Sequence, residues 1–335
     1  MRRLLVVVLL AACSHTSPSA APDASPDAAV DAGPDFCSAT DPRAVPVAIA
    51  PTPEAGEQPY LDALAAAQSK IRVEIYEMGY GGILDALESA AQHGLEVDVL
   101  LDRSEISVNQ KYFDALTAAG AHCQWSSPEF TYQHAKFIAI DDTTAVISTG
   151  NFSKTYSIDL ERNFVATDRD PADVADLVAL FDADWAGSSP QMSCTRLLIS
   201  PINSRQRVLD LIDSAQQTLT IESMQFADSA VRAAVASRVH AGVAVRAMIA
   251  DAGWVSANAS AATYLKNLGV EVRYIPHLHT KMLIADGARA YMGSENLSAT
   301  SLDHNREVGV IVTEAASIAP LTQTFEKDWA AGTDF

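Results

Sequence analysis

The chain is short of cysteine, of aromatic residues and of positive charge, and it holds no apolar run long enough to cross a bilayer. Four cysteines in 335 residues, with no Cys-x-x-Cys and no His cluster at ligand spacing, exclude a metal-binding framework. No metal and no other cofactor is therefore expected. Lys and Arg number 23 against 42 Asp and Glu, a formal charge of −19. That field opposes non-specific adhesion to nucleic acid or to an anionic bilayer, and no Lys/Arg stripe offsets it. The apolar stretch Leu4–Leu10 is too short for a membrane-spanning helix.

The same stretch suits an export signal. Arg2-Arg3 precede it and Leu10-Ala11-Ala12-Cys13 follow, small residues before a Cys as in a bacterial lipobox. Residues 1–12 read as a lipoprotein-type signal peptide, with Cys13 as the lipid attachment site. Residues 13–44, rich in Ala, Pro, Ser and Asp, read as a disordered tether. The expected location is the bacterial cell envelope, lipid-anchored at the outer membrane or periplasmic face, or secreted if not lipidated. The remaining ~300 residues are long for one core, so two fused half-domains are expected, at residues 45–190 and 191–335.

What the chain does contain is one pattern written twice. His134-Ala135-Lys136 is followed by four residues and Asp141; His279-Thr280-Lys281 is followed by four and Asp286. Each copy continues into a small-residue turn and an Asn, through Gly150-Asn151 in the first and Gly293-Ser294-Glu295-Asn296 in the second. The runs are apolar and β-prone, so His and Lys two apart share one face of a strand. Asp141-Asp142 and Asp286-Gly287 are turn dipeptides, where each strand is expected to fold back as a hairpin. If the two strands meet, two imidazoles and two ammonium groups converge, an arrangement suited to a phosphodiester. Fixed cations hold the phosphoryl oxygens, one His attacks phosphorus, and the other protonates the leaving oxygen.

The duplication extends beyond the motif. Leu61–Gln68 matches Leu209–Gln216, each helical and each leading to a strand, Ile71–Glu77 or Leu219–Gln225. A second helix then stops at His93-Gly94 or Ala241-Gly242, with Gly as the terminator. The strands Leu95–Leu101 and Val243–Ile249 follow, then a third helix, a short strand and the motif hairpin. Phe181–Ala186 and Phe325–Ala330 close the halves with matching helices. Alternating helices and buried strands argue for an α/β fold.

The duplicated H-x-K-x4-D with its following Gly and Asn resembles the phospholipase D superfamily across nearly all of residues 45–332. The resemblance implies two homologous α/β/α repeats with pseudo-twofold symmetry and one shared active site. It implies His134 as the attacker, giving a phosphohistidine, with His279 as general acid, although the residues themselves do not break the symmetry. Lys136 and Lys281 would neutralise phosphoryl charge, and Asn151 and Asn296 would donate to the same oxygens unless they cap the following helices. Glu307, in Asn305-Arg306-Glu307, resembles the family's downstream acidic residue. Glu161, in Leu160-Glu161-Arg162-Asn163, is its counterpart with a shift of about one residue. Asp141 and Asp286 lie seven residues past their His, roughly 20 Å along a straight strand, and are read as structural.

Aromatic and Met side chains around the motifs, Tyr76, Met78, Tyr80, Trp125, Phe130, Tyr132, Met224, Phe226 and Trp254, divide between core and substrate cleft. Cys37 and Cys194 are each placed shortly before the first strand of a repeat, which favours a bridge between them, with Cys123 a buried thiol. The expected function is hydrolysis or transfer of phospholipid headgroups, with phospholipid as substrate, a membrane partner through the lipid anchor, and no obligate protein partner. The alternatives are an exported nuclease of the same superfamily, disfavoured by the acidic body, and a non-catalytic lipoprotein binding phosphorylated ligands.

Overall fold

A computed structural model describes residues 38–192 and 194–335. The first repeat runs β1 (Ala48–Thr52), α1 (Gln58–Ala65), β2 (Lys70–Ile75), α2 (Gly82–Gln92), β3 (Glu96–Leu101), α3 (Ile106–Ala119), β4 (His122–Trp125), β5 (Lys136–Ile140), β6 (Thr144–Ser148), β7 (Asn163–Asp168) and α4 (Pro171–Ala186). The second runs β8 (Leu197–Ser200), α5 (Ser204–Ser214), β9 (Thr218–Ser223), α6 (Ser229–His240), β10 (Ala244–Ile249), α7 (Asn258–Asn267), β11 (Glu271–Tyr274), β12 (Lys281–Ala285), β13 (Arg289–Gly293), α8 (Ala299–Asp303), β14 (Glu307–Val312), α9 (Ala315–Ala331) and the short β15 (Thr333–Asp334).

Each repeat builds one mixed sheet, in the orders β1-β7-β6-β5-β2-β3-β4 and β8-β14-β13-β12-β9-β10-β11-β15. Apart from β15, the second order is the first with every strand number raised by seven. The repeats therefore share a topology. β2, β3 and β4 are parallel and joined through helices, whereas β5, β6 and β7 form antiparallel hairpin pairs. Local chemistry sets the helix ends. Asp170 caps α4 by accepting from Ala172 N at 3.0 Å, with Pro171 in the first turn, and Gly187 ends it at φ 62°. Gly94 and Gly242, at φ 88° and 90°, turn the chain after α2 and α6, a conformation that Gly adopts without a Cβ penalty.

Strand alternation divides the apolar side chains among three cores. In β5, Phe137 and Ala139 enter a central core while Ile138 and Ile140 face an outer one. In β12, Met282 and Ile284 enter the same central core while Leu283 and Ala285 face the second repeat's outer core. The closing helices supply that centre with Leu177, Leu180 and Phe181 from α4 and Leu321, Phe325 and Trp329 from α9. Each such side chain, fully buried, contributes about 1.5–3 kcal/mol. The two repeats are thus fused by one hydrophobic layer.

Reciprocal ion pairs lock that layer. Arg162 of the first repeat donates through Nε and Nη2 to Asp328 of α9 at 2.5 and 3.0 Å. Arg306 of the second donates in the same way to Asp184 of α4 at 2.8 and 2.9 Å. All four side chains are nearly inaccessible. Removing one partner of such a pair leaves a buried charge uncompensated. Arg306→Met is expected to lower unfolding free energy by about 3–5 kcal/mol, and adding Asp184→Leu to recover much of it. Denaturant midpoints for the single and double variants check this; equal losses in both would exclude the pairing as the cause.

The leader, residues 13–37 of the expected tether, and with them Cys13 and Cys37, lie outside the described residues. The tether's expected end at residue 44 is corrected: Arg43 is buried and donates through Nε to Asp173 at 2.6 Å and through Nη1 to Ile311 O at 2.7 Å, so residues 38–44 belong to the folded body. Cys194 is disulfide-bonded, and Cys123 is a free, half-buried thiol whose pKa burial raises.

Candidate active site

Strands β5 and β12 begin at the motif lysines, so His134 and His279 lie just ahead of them. Parallel bridges across the repeats, Gln133 to Arg306 and Arg162 to Leu278, hold these two approaches. His134 N donates to Arg306 O at 2.8 Å, and His279 N to Arg162 O at 3.2 Å. Each motif His is thereby fastened to the opposite repeat. The backbone of one half positions the imidazole of the other.

The side chains repeat that exchange with one difference. His134 Nδ1 lies 2.7 Å from Glu307 Oε2, and Glu307 Oε1 accepts from Ser301 Oγ and from Asn305 Nδ2, the latter at 2.9 Å. His279 Nδ1 lies 2.9 Å from Asn163 Oδ1, an amide where the first site has a carboxylate. Glu161 Oε2 is 3.7 Å from the same nitrogen and accepts from Ser157 Oγ at 2.7 Å. The sheet register explains the difference. Ser148 pairs with Val165 and Gly293 with Gly309, so Asn163, which opens β7, occupies the place of Glu307, which opens β14. Glu161 corresponds to Asn305. The expected equivalence of Glu161 and Glu307 is corrected accordingly: the triplet Glu161-Arg162-Asn163 is Asn305-Arg306-Glu307 with its ends exchanged.

Both lysines are fully buried. Lys136 Nζ donates to His134 O and stands 5.1 Å from the Tyr76 ring centre. Lys281 Nζ donates to His279 O at 2.6 Å and to Thr149 O at 3.2 Å, and lies 3.2 Å from His279 Nδ1. Burial pushes Lys136 down to about 8, against the pull of Glu307 and Glu77. Burial and the Lys136 charge push Lys281 down to about 7. His134 is lowered by burial, partly offset by Glu307. His279 is held well below the usual imidazole range by burial and by both lysines. The charges of each motif thus reach the titrating groups of the other.

Asn151 Nδ2 donates to Glu77 Oε2 at 2.9 Å, and Asn151 Oδ1 and Asn296 Oδ1 are buried without partners. Neither Asn caps a helix: Ser298 caps α8, and Ser153 precedes the π-helical turn Lys154–Ile158. Asp141 accepts from the backbone N of Gln68, Ser69 and Lys70 at 2.6–2.8 Å. Asp286 accepts from Gln216, Gln217 and Thr218 at 2.8 Å. Each also has a left-handed backbone, at φ 49° and 54°. These bonds tie each hairpin turn to the start of β2 or β9 and lower both carboxyl pKa values.

The aromatic candidates separate by depth. Met78 and Phe226 are core, and Trp125 stacks on Phe113. Arg306 covers the Phe130 ring. Tyr76 packs edge-on against His134 at 4.7 Å, with Tyr132 behind it, and Trp254 lies 6.3 Å from the His279 ring. Asn163, Glu77 and Thr149 join the site without having been singled out from sequence. The mirrored triplets were the one available signal for Asn163. Among the described residues, no group of three or more His, Cys, Asp or Glu is placed to hold a metal ion.

Two interlocked α/β repeats that bring paired His and Lys to one centre define the phospholipase D class of fold and site. Residues 60–185 and 208–329 match the family described as "Cardiolipin synthase, PLD-like domain", and the chain belongs to that family. It is 25% identical over 330 residues to a probable cardiolipin synthase, YwiE, of Bacillus subtilis (strain 168), covering 82% of this chain and 64% of that one. It is 24% identical over 327 residues to a cardiolipin synthase of Clostridium perfringens (strain 13 / Type A), covering 80% and 67%. The chain thus spans about two thirds of the length of these relatives. Phosphatidylserine synthase from Haemophilus influenzae Rd KW20 shares the fold at TM-score 0.72 and 12% identity, covering 90% and 88%.

These relatives correct the expected location. The proteins matched across most of the chain carry the names of cardiolipin synthases, not of lipid-anchored envelope proteins. Among the described residues no helix is long and apolar enough to cross a membrane.

The two kinds of carboxylate are separable. Glu307→Gln is expected to lower turnover about 10²–10⁴-fold with little loss of stability. Asp286→Asn is expected to lower stability by about 1–2 kcal/mol while each folded molecule stays active. Turnover normalised to folded protein, with a denaturant midpoint for each variant, checks this; a stable but inactive Asp286→Asn would reverse the assignment.

Proposed function

We infer that this chain is a phosphodiesterase of the phospholipase D type, acting on phospholipid headgroups by hydrolysis or by transfer to an alcohol. The observation that carries the reading is the unequal support of the two imidazoles. A carboxylate at His134 Nδ1 favours the tautomer with hydrogen on that nitrogen, leaving Nε2 as a basic lone pair. Nδ1 of His279 instead faces the neutral Asn163 amide and a neighbouring Lys281. His134 is the nucleophile and His279 the general acid.

In the first step His134 Nε2 forms a bond to phosphorus as the bond to the headgroup oxygen breaks, and that oxygen takes a proton from His279. Burial and the two lysines disfavour the protonated form of His279 in the empty site. The phosphodiester's negative charge, seated between Lys136 and Lys281, favours its protonated form, so substrate binding loads the acid. The same lysines, whose pKa values burial has lowered, regain full charge against the phosphate and stabilise the charge that develops on its oxygens. Asn151 and Asn296 donate to those oxygens. In the second step water or an alcohol attacks phosphorus, gives its proton to His279 and releases His134. Glu307 positions the nucleophile throughout and stabilises the imidazolium.

The division between attacker and acid has a direct test. His279→Asn is expected to lose about 10²–10⁴-fold on phosphatidylcholine, and far less on a p-nitrophenyl phosphodiester, whose leaving group needs no proton. His134→Asn is expected to be inactive on both. Recovery on the activated ester by His134→Asn instead would exchange the roles. Turnover of plasmid DNA but not of liposomes would replace the lipid reading by the nuclease one.

A further inference from the structure

A cavity of about 460 Å³ opens beside His279, lined by Asp251, Trp254, Tyr274, Ile275, Pro276 and His277. Its size falls within the range of small-ligand sites. It shares a wall with the centre described above, because the Trp254 ring lies 6.3 Å from His279 and 6.5 Å from His277. Trp254 is 45% exposed, although a Trp of this size normally hides most of its surface. The loop is held in an unusual shape. His277 adopts φ 57°, uncommon for a residue with a Cβ, and its carbonyl accepts from Arg162 N at 2.9 Å. Asp251 Oδ1 accepts from Gly253 N at 2.7 Å, which orients the carboxylate and leaves Oδ2 without a hydrogen-bond partner among the described residues.

The position of the cavity says which part of a substrate it meets. With His134 attacking and His279 protonating, the leaving alcohol departs on the His279 side. The lining says what that alcohol is. A neutral polyol such as glycerol brings no charge to set against the Asp251 carboxylate. An ammonium needs one carboxylate and aromatic faces, which Asp251, Trp254 and Tyr274 supply. Among the described residues no Lys or Arg lines the cavity to oppose a cation.

We propose that this cavity is the subsite for the leaving alcohol and that it selects a headgroup carrying a positively charged amine, with Asp251 as counter-ion and Trp254 as the aromatic face. This inference rests on the phosphodiesterase reading for the identity of the alcohol, but not for the binding itself. The full chain is titrated with choline, with ethanolamine and with glycerol while Trp fluorescence is followed. Phosphatidylcholine and phosphatidylglycerol vesicles are then compared as substrates.

Choline and ethanolamine are expected to change the fluorescence saturably, glycerol not to, and Trp254→Phe to abolish the response. Asp251→Asn is expected to weaken amine binding at least tenfold and to cut the phosphatidylcholine-to-phosphatidylglycerol ratio of kcat/KM by a similar factor. Amine binding without turnover of either lipid would uphold the cavity and overturn the phospholipid reading of the site. Turnover without amine binding, with phosphatidylglycerol preferred, or with a ratio that Asp251→Asn leaves alone, would overturn the subsite and leave that reading intact.

Discussion

Two ammonium groups buried within electrostatic reach of one another are what the rest of this site must accommodate. Lys136 and Lys281 sit out of contact with water, where like charges repel far more strongly than at a surface. The surrounding carboxylates, Glu307, Glu77 and Glu161, favour the charged lysines, yet burial, joined at Lys281 by the Lys136 charge, still holds both below their ordinary pKa. A centre held in this condition is under-charged for its own geometry. A phosphodiester supplies the missing negative charge and relieves the repulsion as it binds. The affinity for phosphate is thus a property of the fold before any single hydrogen bond to the ligand is counted.

Keeping those charges together requires rigid surroundings, and the two arginine–aspartate pairs provide them. Arg162 and Arg306 each sit beside a residue that touches a motif His, and each pairs with the closing helix of the opposite repeat. The hydrophobic layer between the sheets is non-directional and would tolerate sliding. The bidentate pairs are directional and do not. Packing supplies the cohesion, and the ion pairs set the register in which the imidazoles meet.

The α/β class, the duplication, the shared topology of the halves and the prominence of His134, Lys136, His279 and Lys281 were legible in the sequence, because each is written as a local pattern and each is written twice. The binding partners of Asp141 and Asp286 were less so: a turn was readable, but not the three backbone N–H groups that each carboxylate collects from a strand some seventy positions earlier. Glu161 shows why repeats mislead at single-residue resolution. Charge favoured matching one Glu to another across a shift of about one residue, whereas hydrogen-bond register matches Glu307 to Asn163. Trp254 and the cavity beside it depend on a loop conformation, including the left-handed backbone at His277, that no periodicity encodes.

The exchanged ends of Glu161-Arg162-Asn163 and Asn305-Arg306-Glu307 bear on how such a molecule is inherited. Because each His is held by the opposite repeat, two copies of the first half docked together would give twin imidazoles both backed by amides. Two copies of the second half would give twin imidazoles both backed by carboxylates. Only the unlike pair places one carboxylate and one amide at a single centre. The duplication has therefore ceased to be a redundancy: each half has become a specialised complement of the other, and neither can be replaced by its twin.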